Sequence, residues 1–350
     1  MAALYETHRT GSRTVPPGML EHLRRWFLEA PSCDLEIPSL VATDGDGRVV
    51  AFQGVNVTPM LLDGRPVRAA ALGPLVTAQH SRGTAVFLQR RVLAGPQALT
   101  ISDRQNAVAH RLFVRLGAHV IHPTCLRWTI MVRRISHVAG RLTARGWRRW
   151  TQPIVRPAAL GLDRALYERR RGRSRPTLDT TTEPLSPRML VASLPSVAGT
   201  ARLRPCYDAA WVAWRFAEFQ RARHRGRLAA TAVRDATGTV LGWYVVIIRP
   251  RGVSDVVQLV ARDGREREVL DHLAHDTWAS GANAVCGRLE PQFVLPLGEL
   301  PHRSTFVLRS CLLVHTADSA VLQALALGRS VLSLFDGEAW VNESYEATAL

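Results

Sequence analysis

The segment from His80 to Leu93, HSRGTAVFLQRRVL, combines residue types that bind phosphate groups. Arg82 and Gly83 stand near its beginning, and an amphipathic pattern of apolar residues follows. The first turn of a helix has free N–H groups and a partial positive charge, so it attracts anions. The segment therefore predicts an anion site at a helix start. The alternative is an ordinary amphipathic helix that buries its apolar face.

Two positions in this segment depart from a glycine-rich, pyrophosphate-binding turn. Ala85 and Phe87 stand where small residues are usual. Alanine is tolerated at a negative φ, whereas a phenylalanine is expected to crowd a closely approaching pyrophosphate. Arg90 and Arg91, further along the same helix, could also hold an anion.

Composition places the chain among globular proteins. Its 350 residues are 47% hydrophobic and 21% charged, which is enough for two domains of ordinary size. The first residues have no apolar core of a secretory signal, and no apolar run reaches the length of a membrane span. Five scattered cysteines argue against a disulfide framework or a zinc site and favour a reducing compartment. We therefore predict a cytoplasmic protein.

The net charge of +16 is carried by arginine alone, because the chain contains no lysine. Such uniform usage is typical of a coding bias. The charge is concentrated between Arg133 and Arg175, where 13 arginines face only Asp163 and Glu168. This segment, with Trp147, Trp150 and Tyr167 interleaved, could bind nucleic acid or an anionic membrane surface. The alternative is a solvated helical arm.

An internal repeat is the most informative feature of the sequence. The stretch 44–58, DGDGRVVAFQGVNVT, predicts a tight turn and a strand, and the stretch 234–248, RDATGTVLGWYVVII, repeats this pattern. In both copies a second strand, a helix, a short strand and a final strand follow. The final strands are CLRWTI (125–130) and CLLVHT (311–316).

The repeat predicts two domains separated by an Arg/Pro-rich segment. We place the first domain at residues 1–135, a helical linker at 136–197 and the second domain at 198–350. The alternative is a pair of unrelated α/β domains with ordinary hairpins.

The order of these elements resembles the GNAT acyltransferase superfamily. The resemblance is carried by LGPLVTAQHSRGTAV (72–86), TISDRQNAVAHRLFVRLGA (100–118) and CLRWTIMVRR (125–134). It implies an α/β (α+β) fold class: two tandem GNAT-like domains with mixed, mostly antiparallel sheets flanked by helices. Only the first copy carries the candidate acyl-CoA site, and the second is degenerate.

The resemblance implies that acetyl-CoA or another acyl-CoA binds between two splayed strands as co-substrate, without a metal. The cofactor-binding residues it implies are Leu75, Val76, Thr77, Arg82, Gly83, Thr84, Ala85 and Asn106. The strand residues would pair with the pantetheine arm, and the helix start would hold the pyrophosphate. Asn106 would contact the pantetheine arm, or it would cap the following helix.

Transfer of an acyl group to an amine needs a base, because an ammonium group has no free electron pair. Asp103 is the leading candidate, with His80 and His122 behind it, although Asp103 could instead cap a helix. Phe113 stands where the family commonly has a tyrosine that protonates the CoA thiolate. Ser102, His110 and Tyr5 are the candidate substitutes.

The second copy lacks a glycine-rich loop, and Glu266 and Glu268 at the start of its helix would repel a pyrophosphate. It is expected to shape the acceptor side, with a groove lined by Trp211, Trp214, Arg215, Trp243 and Tyr244. The stretch 207–219 is also interpretable as a helix with a buried aromatic stripe. Asp336, Glu338 and Trp340 near the end could bind an amine or a sugar, or form a solvated turn.

Three functions remain open from the sequence. The first is an N-acyltransferase in which an amine attacks the acyl-CoA thioester directly. Relatives with a degenerate tandem layout suggest a sugar or cell-envelope precursor as acceptor. The second is a catalytically inactive interaction protein of the same fold, and the third is a binder of anionic polymers or membranes through residues 133–175.

Overall fold

The structure is a computed structural model that describes residues 1–12, 14–78, 81–103, 105–144, 152–169, 179–222, 225–309 and 311–337. The chain forms two compact units, each built on a seven-stranded mixed sheet. Unit 1 comprises residues 1–122, 201–222 and 310–350, and unit 2 comprises residues 123–200 and 223–309.

Unit 1 carries its sheet between helices on both faces. Its helices are α1 (Ala2–Thr10), α2 (Met19–Phe27), α3 (Arg82–Leu93), α4 (Ala107–Arg115), α8 (Ala209–Arg221) and α11 (Ser319–Ala326). Its strands are β1 (Leu40–Thr43), β2 (Val49–Leu62), β3 (Arg65–Thr77), β4 (Leu99–Ser102), β5 (His119–Ile121), β8 (Leu203–Pro205) and β14 (Leu312–His315). The strand order is β1-β2-β3-β4-β14-β5, and β8 pairs with β2.

Unit 2 also consists of helices and a seven-stranded sheet. Its helices are α5 (Arg134–Ala144), α6 (Gln152–Arg169), α7 (Pro187–Val197), α9 (Glu266–Ala279) and α10 (Val294–Glu299). Its strands are β6 (Leu126–Met131), β7 (Thr180–Pro184), β9 (Arg227–Asp235), β10 (Val240–Ile248), β11 (Val253–Ala261), β12 (Ala284–Arg288) and β13 (Arg303–Leu308). The strand order is β7-β9-β10-β11-β12-β6-β13.

The two predicted turns have the same hydrogen bonds. Asp44 Oδ1 accepts from the N–H groups of Asp46 and Arg48 at 3.0 and 2.9 Å. Asp235 Oδ1 accepts from the N–H groups two and four residues later, both at 2.9 Å. Gly47 and Gly238 follow these aspartates by three residues and have φ values of 77° and 83°, which favour glycine. The sequence repeat thus corresponds to a repeated local structure.

The final strands of the two copies lie in each other's sheets. β14, from the second copy, pairs antiparallel with β4 and β5 in unit 1. β6, from the first copy, pairs antiparallel with β12 and β13 in unit 2. Apart from β7 and β8, both sheets therefore have the same order of corresponding strands, with one strand exchanged.

This exchange changes the domain organisation from the predicted one. Units 1 and 2 are interleaved along the chain, whereas the predicted domains 1–135 and 198–350 are consecutive. The predicted linker 136–197 is also part of a folded unit, because its Thr-rich end forms β7 at the edge of the sheet, paired with β9. α7 packs against β10 of the same unit.

Apolar side chains fill both faces of the unit 1 sheet. One cluster joins β2 and β3 to α3 and α4, and it contains the buried Phe113 ring. A second cluster lies on β3, β4 and β14 under α11. In unit 2 a cluster joins β6, β10, β11 and β12 to α9 and α10. Burial of these side chains provides the main driving force for folding.

Two further observations bear on the composition-based predictions. Cys125 and Cys311 are disulfide-bonded, which the cysteine spacing did not indicate. Cys33, Cys206 and Cys286 are free thiols. None of the helices in the described part of the chain combines the length and apolar character needed to cross a membrane.

Candidate functional site

In unit 1 the parallel pairing of β3 and β4 ends before the residues of β3 for which the sequence predicts a cofactor. Residues Ala69–Ala71 of β3 pair with Leu99–Ile101 of β4. β3 then continues to Thr77 without β4 beside it. The last residues of β3, including the predicted Leu75, Val76 and Thr77, pair with β2 on one side. We call the edge of β3 on their other side, beyond the last residue paired with β4, the β3–β4 opening. Its backbone edge offers N–H and C=O groups to a ligand.

A β-bulge between β2 and β3 lies at the start of this opening. Two side chains that the sequence did not single out, Gln53 and Phe27, contact the bulge. The register between β2 and β3 shifts between Gln53 and Val55. The buried Gln53 amide donates to the carbonyls of Gly54 and Gly73 at 2.9 and 3.1 Å. The Phe27 ring lies against Gly73, where an added Cβ would be 2.9 Å from Cε1.

The helix after β3 begins at Arg82, as the anion-site prediction requires. Ser81 precedes it without a side-chain cap, and no acidic residue lies in the first turn. Space around Gly83 is open, because an added Cβ would have nothing within 4 Å. Thr84 and Ala85 are half-buried in the same turn, and the Thr84 N–H donates to the Ser81 carbonyl at 3.0 Å. The side chain of Arg82 and all of His80 lie outside the described residues.

Phe87 does not pack into the helix start. The residue is 67% exposed, and the expected crowding of a pyrophosphate by its ring stays a prediction. Phe113, by contrast, is 1% exposed and packs in the cluster with α3. Neither ring supplies a proton donor.

The strand end that contains Ser102 and Asp103 is buried. Ser102 Oγ donates to Gln105 Oε1 at 3.2 Å, and Gln105 Nε2 lies 3.5 Å from Nδ1 of His110. Gln105 thus joins two of the predicted proton donors, Ser102 and the half-buried His110. Tyr5 is buried in α1 and His122 is exposed after β5.

Asn106, not Asp103, caps helix α4. Asn106 Oδ1 accepts from the N–H groups of Val108 and Ala109 at 3.0 and 2.9 Å. The capping interpretation of Asn106 is therefore confirmed, and that of Asp103 is wrong. Asp103 is 6% exposed, and its carboxyl lies against Gly337, where an added Cβ would be 2.7 Å from Cγ.

Arg215 stabilises the chain segment that reaches Asp103. It lies in α8, is 2% exposed, and donates to the carbonyls of Phe335 and Gly337 at 2.6 and 3.1 Å. Its guanidinium lies 4.9 to 6.0 Å from the centres of five aromatic rings, of Trp26, Trp211, Trp214, Phe219 and Phe335. Burial lowers the pKa of Arg215 to about 10, so the side chain stays charged at neutral pH.

Asp336, beside this arginine, is buried and well hydrogen-bonded. Its carboxyl accepts from the Tyr207 hydroxyl, and from the N–H and hydroxyl of Ser333 at 2.8 and 2.9 Å. Burial raises the pKa of Asp336. The segment 333–337 is therefore a packed part of unit 1 and not a solvated turn. Glu338 and Trp340 lie outside the described residues.

The aromatic groove predicted for the second copy does not form there. Trp211, Trp214 and Arg215 belong to α8 in unit 1, and Trp211 is buried between Tyr207 and Phe335. Trp243 and Tyr244 have no exposed surface and lie in the unit 2 sheet. The interpretation of 207–219 as a helix with a buried aromatic stripe is the correct one.

Unit 2 repeats the strand separation without the anion site. Residues Val253–Asp255 of β11 pair in parallel with Ala284–Cys286 of β12, and the pairing ends there. The following helix α9 has Glu266 and Glu268 in its first turn. At the last parallel pair, Asp255 forms ion pairs with Arg127 and Arg249. Cys286 of β12 is the residue paired with Asp255. Burial raises the pKa of the Cys286 thiol to about 12, so this thiol stays protonated.

Other predicted sites are only partly covered by the structure. Most side chains of the Arg-rich segment 133–175, including Trp147, Trp150 and Tyr167, lie outside the described residues. Within the described ranges, no group of three or more His, Cys, Asp or Glu side chains could hold a metal ion.

Comparison by sequence found no match to a protein-family model and none to a curated protein. Comparison of structures found likenesses at low identity. A GCN5-related N-acetyltransferase from Anabaena variabilis is 11% identical with a TM-score of 0.54, over 92% of this chain and 71% of the other. The N-myristoyltransferase of Saccharomyces cerevisiae, solved with bound myristoyl-CoA and inhibitors, is 9% identical with a TM-score of 0.51, over 90% and 77%.

A third structure, from Enterococcus faecalis and described as a probable N-acyltransferase, is 11% identical with a TM-score of 0.48. That likeness covers 80% of this chain, and this chain spans only 61% of that protein's length. The first two likenesses extend over both units. The chain therefore has the fold of the GNAT acyltransferases, with mixed sheets flanked by helices.

Proposed function

We propose that unit 1 binds acyl-CoA and transfers its acyl group to an amine acceptor. The observation that carries this proposal is the β3–β4 opening followed directly by the start of α3. The backbone of Leu75, Val76 and Thr77 would pair with the pantetheine arm. The N–H groups of Arg82 and Gly83 would hold the pyrophosphate, and Thr84 and Ala85 would line the same turn. Asn106 would act on the cofactor only indirectly, because its side-chain oxygen caps α4.

In this proposal the amine nitrogen attacks the thioester carbonyl directly. Asp103, at the end of β4, is the proposed base that accepts a proton from the attacking amine. The CoA thiolate then leaves and takes a proton from Ser102 or His110, which Gln105 connects. The acceptor is proposed to be an amine on a sugar or a cell-envelope precursor.

Binding of acetyl-CoA is tested most sharply at Gly83. The open space around Gly83 lets Gly83→Asp fit, and a carboxylate in the first turn favours the helix. The same carboxylate repels a pyrophosphate, so this variant should be at least as stable as wild type and should lose acetyl-CoA binding. Gly83→Asn is the neutral control of matched shape. Isothermal titration of the wild type without binding at millimolar acetyl-CoA would refute the proposal.

The proposed base is tested separately from binding. Asp103→Asn should lower acetyl-CoA turnover about 100-fold or more while its acetyl-CoA affinity stays unchanged. Turnover is measured as release of free CoA thiol with a panel of amino sugars and diamines. Equal turnover of the variant and the wild type would remove Asp103 from the reaction.

A catalytically inactive interaction protein is the second candidate. It is favoured by Phe113, which has no hydroxyl and is packed in the core. This candidate predicts that the wild type binds acetyl-CoA and consumes none of it with any amine of the panel.

A further inference from the structure

The carboxyl of Asp103 lies against a backbone segment that is more than 200 residues away in the sequence. Asp103 directly follows Ser102, the last residue of β4, which pairs with Leu313 of β14. The sheet therefore fixes the backbone at this point. A Cβ added to Gly337 would be 2.7 Å from Cγ of Asp103 and closer still to Oδ2, whereas ordinary contact of a Cβ begins at 3.4 Å. Only a residue without a side chain fits at position 337 while the carboxyl stays in place.

The backbone around Gly337 is held by a buried cation and a buried ring. Arg215 donates to the carbonyls of Phe335 and Gly337 at 2.6 and 3.1 Å. The Phe335 ring has no exposed surface and packs with centre-to-centre distances of 5.4 to 5.8 Å against the rings of Tyr207, Trp211, Phe216 and Phe219. Gly337 has no positive φ, so its backbone conformation would accept an alanine. An alanine there would therefore displace the Asp103 carboxyl and leave the segment in place.

Charge draws the Asp103 carboxyl toward the same segment. The guanidinium of Arg215 is buried, and the charges of Asp336 and Asp103 both act on it. Attraction between opposite charges is stronger in such a place than in water. The Asp103 carboxyl is thus restrained from two sides, by the attraction of Arg215 and by the backbone of Gly337.

All of these restraints come from the second copy of the repeat. Arg215 lies in α8, and the segment 333–337 follows β14 and α11, all within unit 1. We infer that Gly337 positions the Asp103 carboxyl and that Arg215 holds Gly337 in place. The candidate site of unit 1 is then complete only with segments of the second copy. This inference rests on the proposed function, because it takes Asp103 as the base.

The position of a base decides its rate. Its carboxylate must lie within hydrogen-bond reach of the attacking amine, and a misplacement of about 1 Å can lower a rate about 100-fold. Gly337→Ala should therefore lower turnover of the full chain about 10- to 100-fold, measured as release of CoA thiol with the same panel of amines. Its affinity for acetyl-CoA, measured by isothermal titration, should stay unchanged. Gly45→Ala is the control, because an added Cβ there has nothing within 4 Å.

A double-mutant cycle tests whether Gly337 acts through Asp103. In the Asp103→Asn background, Gly337→Ala should lower the remaining turnover no further, because the base is already lost. A loss of equal size in both backgrounds would show that Gly337 acts without Asp103, and it would overturn the inference. Turnover of Gly337→Ala equal to that of wild type would overturn it as well.

The contact itself is tested without any turnover. Removal of the carboxyl by Asp103→Ala makes room for the new Cβ. The loss of folded protein or of urea midpoint caused by Gly337→Ala should therefore be smaller in the Asp103→Ala background than in wild type. A loss as large in that background would overturn the inference.

Failure of the proposed function gives a different result. Wild type that releases no CoA with any amine of the panel would overturn the proposed transfer and the inference with it. Turnover that Asp103→Asn lowers and Gly337→Ala leaves unchanged would overturn the inference alone.

Discussion

Arg215 carries a full positive charge in a part of unit 1 that water does not reach. Its charge is balanced by the nearby carboxyls of Asp336, Asp103 and Glu218. Its hydrogen bonds end on the carbonyls of Phe335 and Gly337, so it connects α8 to a segment 120 residues away in sequence. A buried charge of this kind stabilises only while its partners are present.

At the residue scale, we expect Arg215→Met to destabilise the protein strongly. The variant removes the Arg215 charge that acts on Asp336 and the donor of the Phe335 and Gly337 carbonyls. The expected loss is about 3–5 kcal/mol in the free energy of unfolding. Arg24→Met, at a position 60% exposed, should change it by less than about 1 kcal/mol. Urea unfolding measures both, and equal midpoints for the two variants would contradict this account.

A second residue-scale prediction concerns pH. Burial lowers the pKa of His272 below 6.5, and its Nε2 lies 2.8 Å from the Thr180 hydroxyl. As pH falls below 6.5 the unfolded chain binds a proton at this position before the folded chain does. Stability should therefore be constant above this pH and fall below it. His272→Gln should show a smaller fall than wild type in unfolding measured from pH 7 to 5; an identical profile would refute the prediction.

The sequence could predict single residues only where their partners are near in the chain. Asn106 is an example, because a cap bonds to N–H groups two and three residues later. The roles of Gln53 and Arg215 depend on Gly73 and Phe335, which only the fold brings near. Periodicity could show that Trp211 is buried, but not that the aromatic cluster surrounds a guanidinium.

At the element scale, glycines allow strands to approach closely where each sheet bends. In unit 2 the register between β9 and β10 shifts between Val240 and Gly242. A Cβ added to Gly242 would press on the Val260 carbonyl and lie 2.8 Å from Ala261 Cα. These are backbone atoms of the neighbouring strand, so the strand itself would have to move.

We therefore expect Gly242→Ala to destabilise the protein by about 1–3 kcal/mol. Gly45→Ala is the control, because an added Cβ there has nothing within 4 Å and the glycine has no positive φ. The two midpoints of urea unfolding give the comparison. A Gly242→Ala variant as stable as the control would show that β11 can shift without cost.

Elements were easier to predict than their partners. The turns, the long strands and helices α3, α4 and α9 follow from turn residues and apolar periodicity. The exchange of β6 and β14 could not be predicted, because both have the same short apolar pattern, and either fits the slot beside β4 or β12. A local pattern specifies a strand but not the sheet that receives it.

At the scale of the whole molecule, the exchange makes each unit depend on distant segments. The fragment 1–135 contains β4 and β5 but lacks β14, which lies between them. We expect this fragment and the fragment 198–350 to be unfolded or aggregated when produced separately. Circular dichroism and size-exclusion chromatography provide the measurement, with the full chain as control. Cooperative thermal unfolding of the isolated fragment 1–135 would contradict this expectation.

The position of β14 also constrains how the protein is made on the ribosome. β4 ends at Ser102 and its neighbour β14 begins at Leu312, 210 residues later. At about 5–20 residues per second, translation of that stretch takes roughly 10–40 seconds. Through this interval the edge of β4 in the nascent chain lacks its native partner strand, β14. Its yield in cells should thus depend on chaperones that shield such edges more than that of a protein whose sheets close in the order of synthesis.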